Sequence, residues 1–221
     1  VAARKEIIQE RLEIARACGL RPMVIDVDAF ALENAFELTR SEFLNETVLL
    51  MNIGATVTNI NIIENGVSKV VRDLFVAGHN FTKALERNLQ IEYEEAERIK
   101  REHGLASVPK EEKETNIAPA QVPGILSSVV KDLMVEVRRS IDYYNVQCEG
   151  EGTINWIILS GGGASLRNLS EFISHEFNLP VEIYNPFSNI ALGDKEEEIS
   201  ELAPSFSVAT GLALRQEGDT E

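Results

Sequence analysis

Cysteine is scarce: the 221 residues carry only Cys18 and Cys148, with no CxxC pair and no histidine at ligand spacing, which argues against a zinc site or a disulfide framework. Both are expected as ordinary core thiols. No apolar run reaches the roughly 18 residues that a membrane-spanning helix needs, and the start of the chain lacks the charged, apolar, small-residue order of a signal peptide. The expectation is a soluble, cytoplasmic protein with no direct membrane insertion. Positive charge is also short, with 21 Lys and Arg against 36 Asp and Glu and a net charge of −15. Such a surface repels a phosphate backbone, so nucleic acid is not an expected partner. What is present is 44% apolar and 26% charged residues, enough for one large domain or two lobes. The chain opens on Val1 without a methionine and enters regular structure at once, which suggests a fragment whose N-terminal portion is missing.

Periodicity divides the chain. Residues 4–18 set Ile7, Ile8, Leu12 and Ile14 at helical spacing and close on Gly19, a C-cap glycine. Residues 23–25 read as a short strand, and 29–38 as an apolar helix after Asp28, an acceptable N-cap. The pattern then turns to β over 47–75, three antiparallel strands in a meander, with Asn65-Gly66 as the hairpin signal. Helices are expected at 80–88 and 93–103, an exposed loop at 106–123, and a long packing helix at 124–144. The continuous apolar run 156–159 suits a strand buried on both faces, followed by a helix at 166–177, a strand at 181–184 and a closing helix at 206–215. An acidic linker at 194–201 and an acidic tail after Gln216 flank that last helix, in which Ala209, Gly211 and Ala213 permit close packing.

Three segments carry chemistry. The turn holding Asn52, Gly54, Ala55, Thr56 and Thr58 lies between two apolar strands; its small residues leave backbone N–H groups open to a phosphate and its hydroxyls can add donors, although a plain β-turn reads the same way. Gly161, Gly162, Gly163 and Ser165 stand between a buried strand and a helix, where a ligand can lie on bare backbone and the helix dipole favours anions. Neither GxGxxG spacing nor a following Lys-Ser/Thr accompanies them, so this is neither a Rossmann fingerprint nor a P-loop. Glu97 and Lys100 share one helix face; taken alone they are a solvated ion pair.

In this order the three segments resemble the actin-like ATPase superfamily: the 52–59 turn its second phosphate loop, 96–100 the helix whose glutamate and lysine contact ribose and adenine, 159–166 the adenosine motif, and 204–214 the second connecting helix. Within it the chain is similar to the PilM family of type IV pilus assembly proteins. The phrases that carry this are Val24-Ile25-Asp26-Val27-Asp28-Ala29-Phe30-Ala31-Leu32, Asn52-Ile53-Gly54-Ala55, Arg72-Asp73 and Glu136-Val137-Arg138-Arg139-Ser140-Ile141-Asp142-Tyr143-Tyr144, with Val1-Ala2-Ala3-Arg4-Lys5 at the start.

The resemblance implies an α/β actin-like (ribonuclease H-like) fold, mixed sheets flanked by helices, mostly the second lobe plus the end of an FtsA-type extra subdomain. Residues 1–27 would end that subdomain, 28–46 belong to the first lobe, 47–203 form the second lobe and 204–221 the connecting helix and tail. It implies ATP as ligand, closure of two lobes on it, and docking of the N-terminal cytoplasmic peptide of PilN, with other inner-membrane pilus components, so that the protein sits peripheral to the inner membrane. The first phosphate loop would precede Val1. The metal-holding aspartate of the second phosphate loop is Asn52 here, a weak, water-mediated metal position that argues against firm magnesium binding and fast hydrolysis. Asp28 stands where the superfamily places a water-orienting catalytic group, or else caps its helix. Gly78-His79 replaces a double glycine, with His79 crowding the turn or facing solvent. Two other functions fit the same fold: a small-molecule kinase, for which Asp28 is the only candidate base, and an FtsA-like cell-division filament, whose amphipathic C-terminal helix the acidic tail does not match.

Overall fold

A computed structural model describes residues 3–105, 121–147, 153–193 and 199–216. Cys148, most of the expected 106–123 loop, residues 194–198 of the acidic linker and the tail beyond Gln216 lie outside them.

The centre is one five-stranded sheet in the order β3-β2-β1-β4-β5, where β1 is Thr47–Ile53, β2 Thr58–Glu64, β3 Val67–Leu74, β4 Trp156–Ser160 and β5 Val181–Ile183. The first three strands form the antiparallel meander, while β4 and β5 run parallel to β1. The hairpin between β2 and β3 turns on Asn65 (φ 51°) and Gly66 (φ 73°), both left-handed, as an Asn-Gly turn requires. Strand β1 is buried throughout, and its alternation feeds two cores. Leu49, Met51 and Ile53 face the helices α3 (Gly78–Leu89), α4 (Tyr93–His103), α5 (Val122–Gln147) and α6 (Leu169–Phe177). Val48 and Leu50 face α2 (Asp28–Thr39), where Leu32, Ala35 and Phe36 meet Ile158 and Tyr184. Helix α5 carries the longest stripe, with Leu126, Val130, Leu133, Val137 and Tyr144 fully buried.

Helix α2 is held from the far side by the last helix, α7 (Ser207–Ala213), which follows a 3₁₀ turn, Ala203–Phe206. A Cβ on Gly211 would lie 1.7 Å from the Ala31 carbonyl oxygen, so the two helices touch backbone to backbone at that point. The Asp26 carboxylate, 8% exposed, accepts from Arg215 Nε at 2.7 Å and ties the start of α2 to the residues after α7.

Four expectations change. The helix α1 (Lys5–Ala17) ends on Gly19 (φ 76°), whose N–H bonds Arg16 O while Leu20 N–H bonds Ala15 O, a Schellman closure. Its apolar stripe, however, holds no fully buried residue: Ile8 and Leu12 are half-buried and Ile14 is 53% exposed. Cys18 is exposed, not a core thiol. Residues 23–25 form no strand, because no strand among the described residues pairs with them. Asp28 is the first residue of α2 and makes no capping hydrogen bond; Val27 is the N-cap.

Candidate functional site

The C-terminal ends of β1 and β4 open onto a cleft of about 620 Å³. Its walls come from five places: the β1–β2 turn (Gly54, Ala55), the start of α3 (Gly78, His79), one face of α4 (Tyr93, Glu97, Lys100), the glycine turn after β4 (Gly162, Gly163, Ser165), and the 201–205 segment beside that turn (Leu202, Ser205). The turn and α3 are tied together by Gly78 N–H to Gly54 O at 2.9 Å and His79 N–H to Ala55 O at 2.7 Å. Of the residues expected from sequence, Gly54, Ala55, Glu97, Lys100, Gly162, Gly163 and Ser165 all reach this lining. The two turns meet through the parallel β1–β4 pairing, which sets Asn52 opposite Ser160.

The α4 face is not a solvated ion pair. Lys100, with only 13% of its side chain exposed, donates to Glu97 Oε2 at 2.6 Å and to Thr82 Oγ1 at 3.0 Å, and Thr82 donates to the same Glu97 oxygen at 2.6 Å. Arg101 Nε reaches Glu97 Oε1 at 3.1 Å. Burial pushes the Glu97 carboxyl up, but the hydrogen bonds from Lys100 and Thr82 and the Lys100 charge outweigh it and hold it at about 2. Folding lowers this pKa from 4.5, so the cluster stabilises the protein above pH 4.5 and that stability fades as pH falls toward 2. Glu97→Gln is expected to cost about 1–2 kcal/mol at pH 7, discounted for partial exposure, and almost nothing near pH 2. Urea midpoints of both proteins across that range check this; a pH-independent difference would contradict it.

The three glycines after β4 have different tasks. A Cβ on Gly161 (φ 80°) would lie only 2.5 Å from Ile53 O, and a Cβ on Gly163 would strike Ile53 Cγ2 at 2.3 Å. Both are needed so that the turn can lie against the end of β1. Gly162 is not: the nearest atom to a Cβ there would be Ser205 Oγ at 3.4 Å, on the segment that borders the turn.

Asn52 does not line the cleft. It is 9% exposed; its Nδ2 donates to Asn59 Oδ1 at 2.9 Å, its Oδ1 lies 3.5 Å from Ser160 Oγ, and Asn59 in turn donates to Asp73 at 2.8 Å. The side chain is therefore spent across strands β4-β1-β2-β3, and the residue set does not fit a magnesium ion held through Asn52. Thr58 is fully buried with its hydroxyl on Val76 O at 2.7 Å, Gly161 gives its N–H to Pro204 O, and Thr56 and Asp28 are exposed outside the lining. Residues that sequence reasoning missed in the lining are Phe81, Tyr93, Arg101, Glu201, Leu202 and Ser205, and it gave His79 no role in binding. Tyr93 lies one turn before Glu97 on the same helix face, the one signal that pointed to it.

A family model described as "Type IV pilus assembly protein PilM" matches residues 1–217. The chain belongs to that family. A solved structure, "PilM-PilN type IV pilus biogenesis complex", superposes with a TM-score of 0.81 at 30% identity, covering 96% of this chain and 58% of that one. MreB 5 of Spiroplasma citri bound to AMPPNP superposes with a TM-score of 0.69 at 18% identity over 96% of this chain and 65% of its own, a likeness of fold. Cell division protein FtsA of Neisseria meningitidis serogroup B is 26% identical over 230 residues, covering 96% of this chain and 53% of FtsA. The chain thus spans between 53% and 65% of the length of these relatives, and its fold is the actin-like one. No helix among the described residues is long and apolar enough to cross a membrane.

Proposed function

We propose that this chain is the nucleotide-holding lobe of an actin-like scaffold in type IV pilus assembly. The observation that carries the reading is the convergence of Gly54, Ala55, Gly162, Glu97 and Lys100 on one cleft. Their chemistry suits a nucleoside phosphate: the small-residue backbone of the β1–β2 turn beside Ala55 for the phosphates, and the bare backbone at Gly162 with a carboxylate and an ammonium already fixed in place for the nucleoside. ATP supplies the negative arm that such a turn binds. Asn52, Thr56, Thr58, Gly161, Gly163 and Ser165 support that arm by shaping the turns. Asp28 is offered as a water-orienting group only when a second lobe brings the phosphates to it.

The division into 1–27, 28–46, 47–203 and 204–221 belongs to the same reading, with α2 in the first-lobe segment and α7 in the second connecting helix between lobes. Binding of ATP would favour a closed arrangement and present a surface to partners. Likeness to the solved PilM-PilN complex supports PilN as that partner; docking through the N-terminal cytoplasmic peptide of PilN, and with it a cytoplasmic position peripheral to the inner membrane, is part of the same proposal. The neutral Asn52 favours slow turnover or none.

Calorimetric titration of ATP and ADP into the full-length protein carrying these residues, with and without magnesium, tests this. The expected result is binding of both nucleotides with less than about a tenfold gain from magnesium, since no carboxylate stands at position 52. Absence of binding in either condition would overturn the nucleotide reading.

A further inference from the structure

Two aromatic side chains join neighbouring walls of the cleft. The Tyr93 hydroxyl lies 2.7 Å from His79 Nδ1, and the two rings meet edge to face with centroids 5.9 Å apart. His79 stands in the first turn of α3 with its N–H on Ala55 O; Tyr93 opens α4, one turn before Glu97. The pair therefore joins the β1–β2 turn to the helix that carries the Glu97–Lys100 cluster, and both residues line the cleft.

With the Tyr93 phenol assigned as donor, the hydrogen bond selects which edge of the imidazole is useful. A phenol is the natural donor to a neutral imidazole nitrogen, which leaves the ring proton on Nε2, the opposite edge. Nε2 has no partner among the described residues. The fixed charges of the lining balance: Lys100 and Arg101 are both engaged by Glu97, and Glu201 adds a second carboxylate. A strongly anionic ligand held here must find donors that are not already committed to a carboxylate.

We propose that His79 contacts the ligand, its Nε2–H donating to an anionic oxygen of the phosphate arm, with Tyr93 as the positioning residue that holds the ring in that tautomer. The proposal rests on the nucleotide reading above and assigns to one side chain the preference for phosphorylated over unphosphorylated nucleosides.

Competition titrations of adenosine, ADP and ATP on the full-length protein test it, with thermal midpoints recorded for each variant. His79→Ala is expected to weaken ADP and ATP by about tenfold and adenosine by less than about twofold, one hydrogen bond to a charged group. His79→Gln, whose amide N–H reaches the Nε2 position, recovers most of the loss, and Tyr93→Phe loses about threefold for the phosphorylated ligands. If the wild type binds ADP and His79→Ala binds it equally well, or loses adenosine to the same degree, this proposal falls while the nucleotide reading stands. If the wild type binds none of the three, both fall.

Discussion

Gly211→Ala is expected to lower the unfolding free energy by about 3 kcal/mol, at the top of the range for forcing one methyl into a packed contact. The atoms it would meet are backbone: the Ala31 carbonyl oxygen at 1.7 Å and its carbon at 2.4 Å from the added Cβ. No side-chain rotation relieves such a clash, so α7 must move off α2. That motion also pulls on the Asp26–Arg215 pair, whose buried carboxylate would lose its guanidinium partner. Helix propensity works the other way, favouring alanine by roughly 1 kcal/mol in a helix interior. A urea midpoint that rises on substitution would show that propensity wins and that the two helices do not touch as described. Ala209→Gln serves as the control: Ala209 is exposed on the same helix, and its substitution should change stability by less than about 0.5 kcal/mol.

Gly162→Asp is expected to abolish nucleotide binding, weakening ATP by about a hundredfold or more, with stability changed by less than about 1 kcal/mol. The added carboxylate starts from a Cβ with no contact closer than 3.4 Å and enters a lining whose charges already balance, where it takes the space of the nucleoside and adds a negative charge to a cleft that must hold a polyphosphate. The neighbouring substitutions separate site from scaffold. Gly163→Ala drives a methyl to 2.3 Å from Ile53 Cγ2 and should unfold the turn along with binding. Loss of binding in a Gly162→Asp protein that melts like wild type therefore speaks to the cleft; equal loss of stability in both would assign Gly162 to packing as well.

The parts legible in the amino-acid order are those set by local rules. Gly19, the Asn65-Gly66 hairpin and the period-2 strands around it formed as their φ preferences and alternation dictate. The continuous run at 156–159 became β4 because a strand flanked by β1 and β5 is buried on both faces. What escaped depends on neighbours distant in the chain. The Glu97–Lys100 pair looked solvated because nothing in 93–103 shows that Thr82, on another helix, closes over it. Asn52 stood as a weak, water-mediated metal position on resemblance alone, and its cross-strand bonds to Asn59 and toward Ser160, which exist only once three strands are aligned, were not legible in the sequence. Of the three small residues in the last helix, only Gly211 is buried; composition announced close packing but could not say which residue carries it. The apolar stripe of α1 was real as a pattern, yet none of its residues is fully buried among the described residues. The strand expected at 23–25 failed for lack of a strand to pair with, a condition no local propensity encodes.

Whether this cleft holds a nucleotide is decided by a crystal structure of the full-length protein with a non-hydrolysable ATP analogue. The phosphate arm is expected against Gly54 and Ala55 within reach of His79, and the nucleoside between Glu97–Lys100 and Gly162. A structure obtained at saturating analogue with this cleft empty, or with the nucleotide bound elsewhere, would contradict the nucleotide reading.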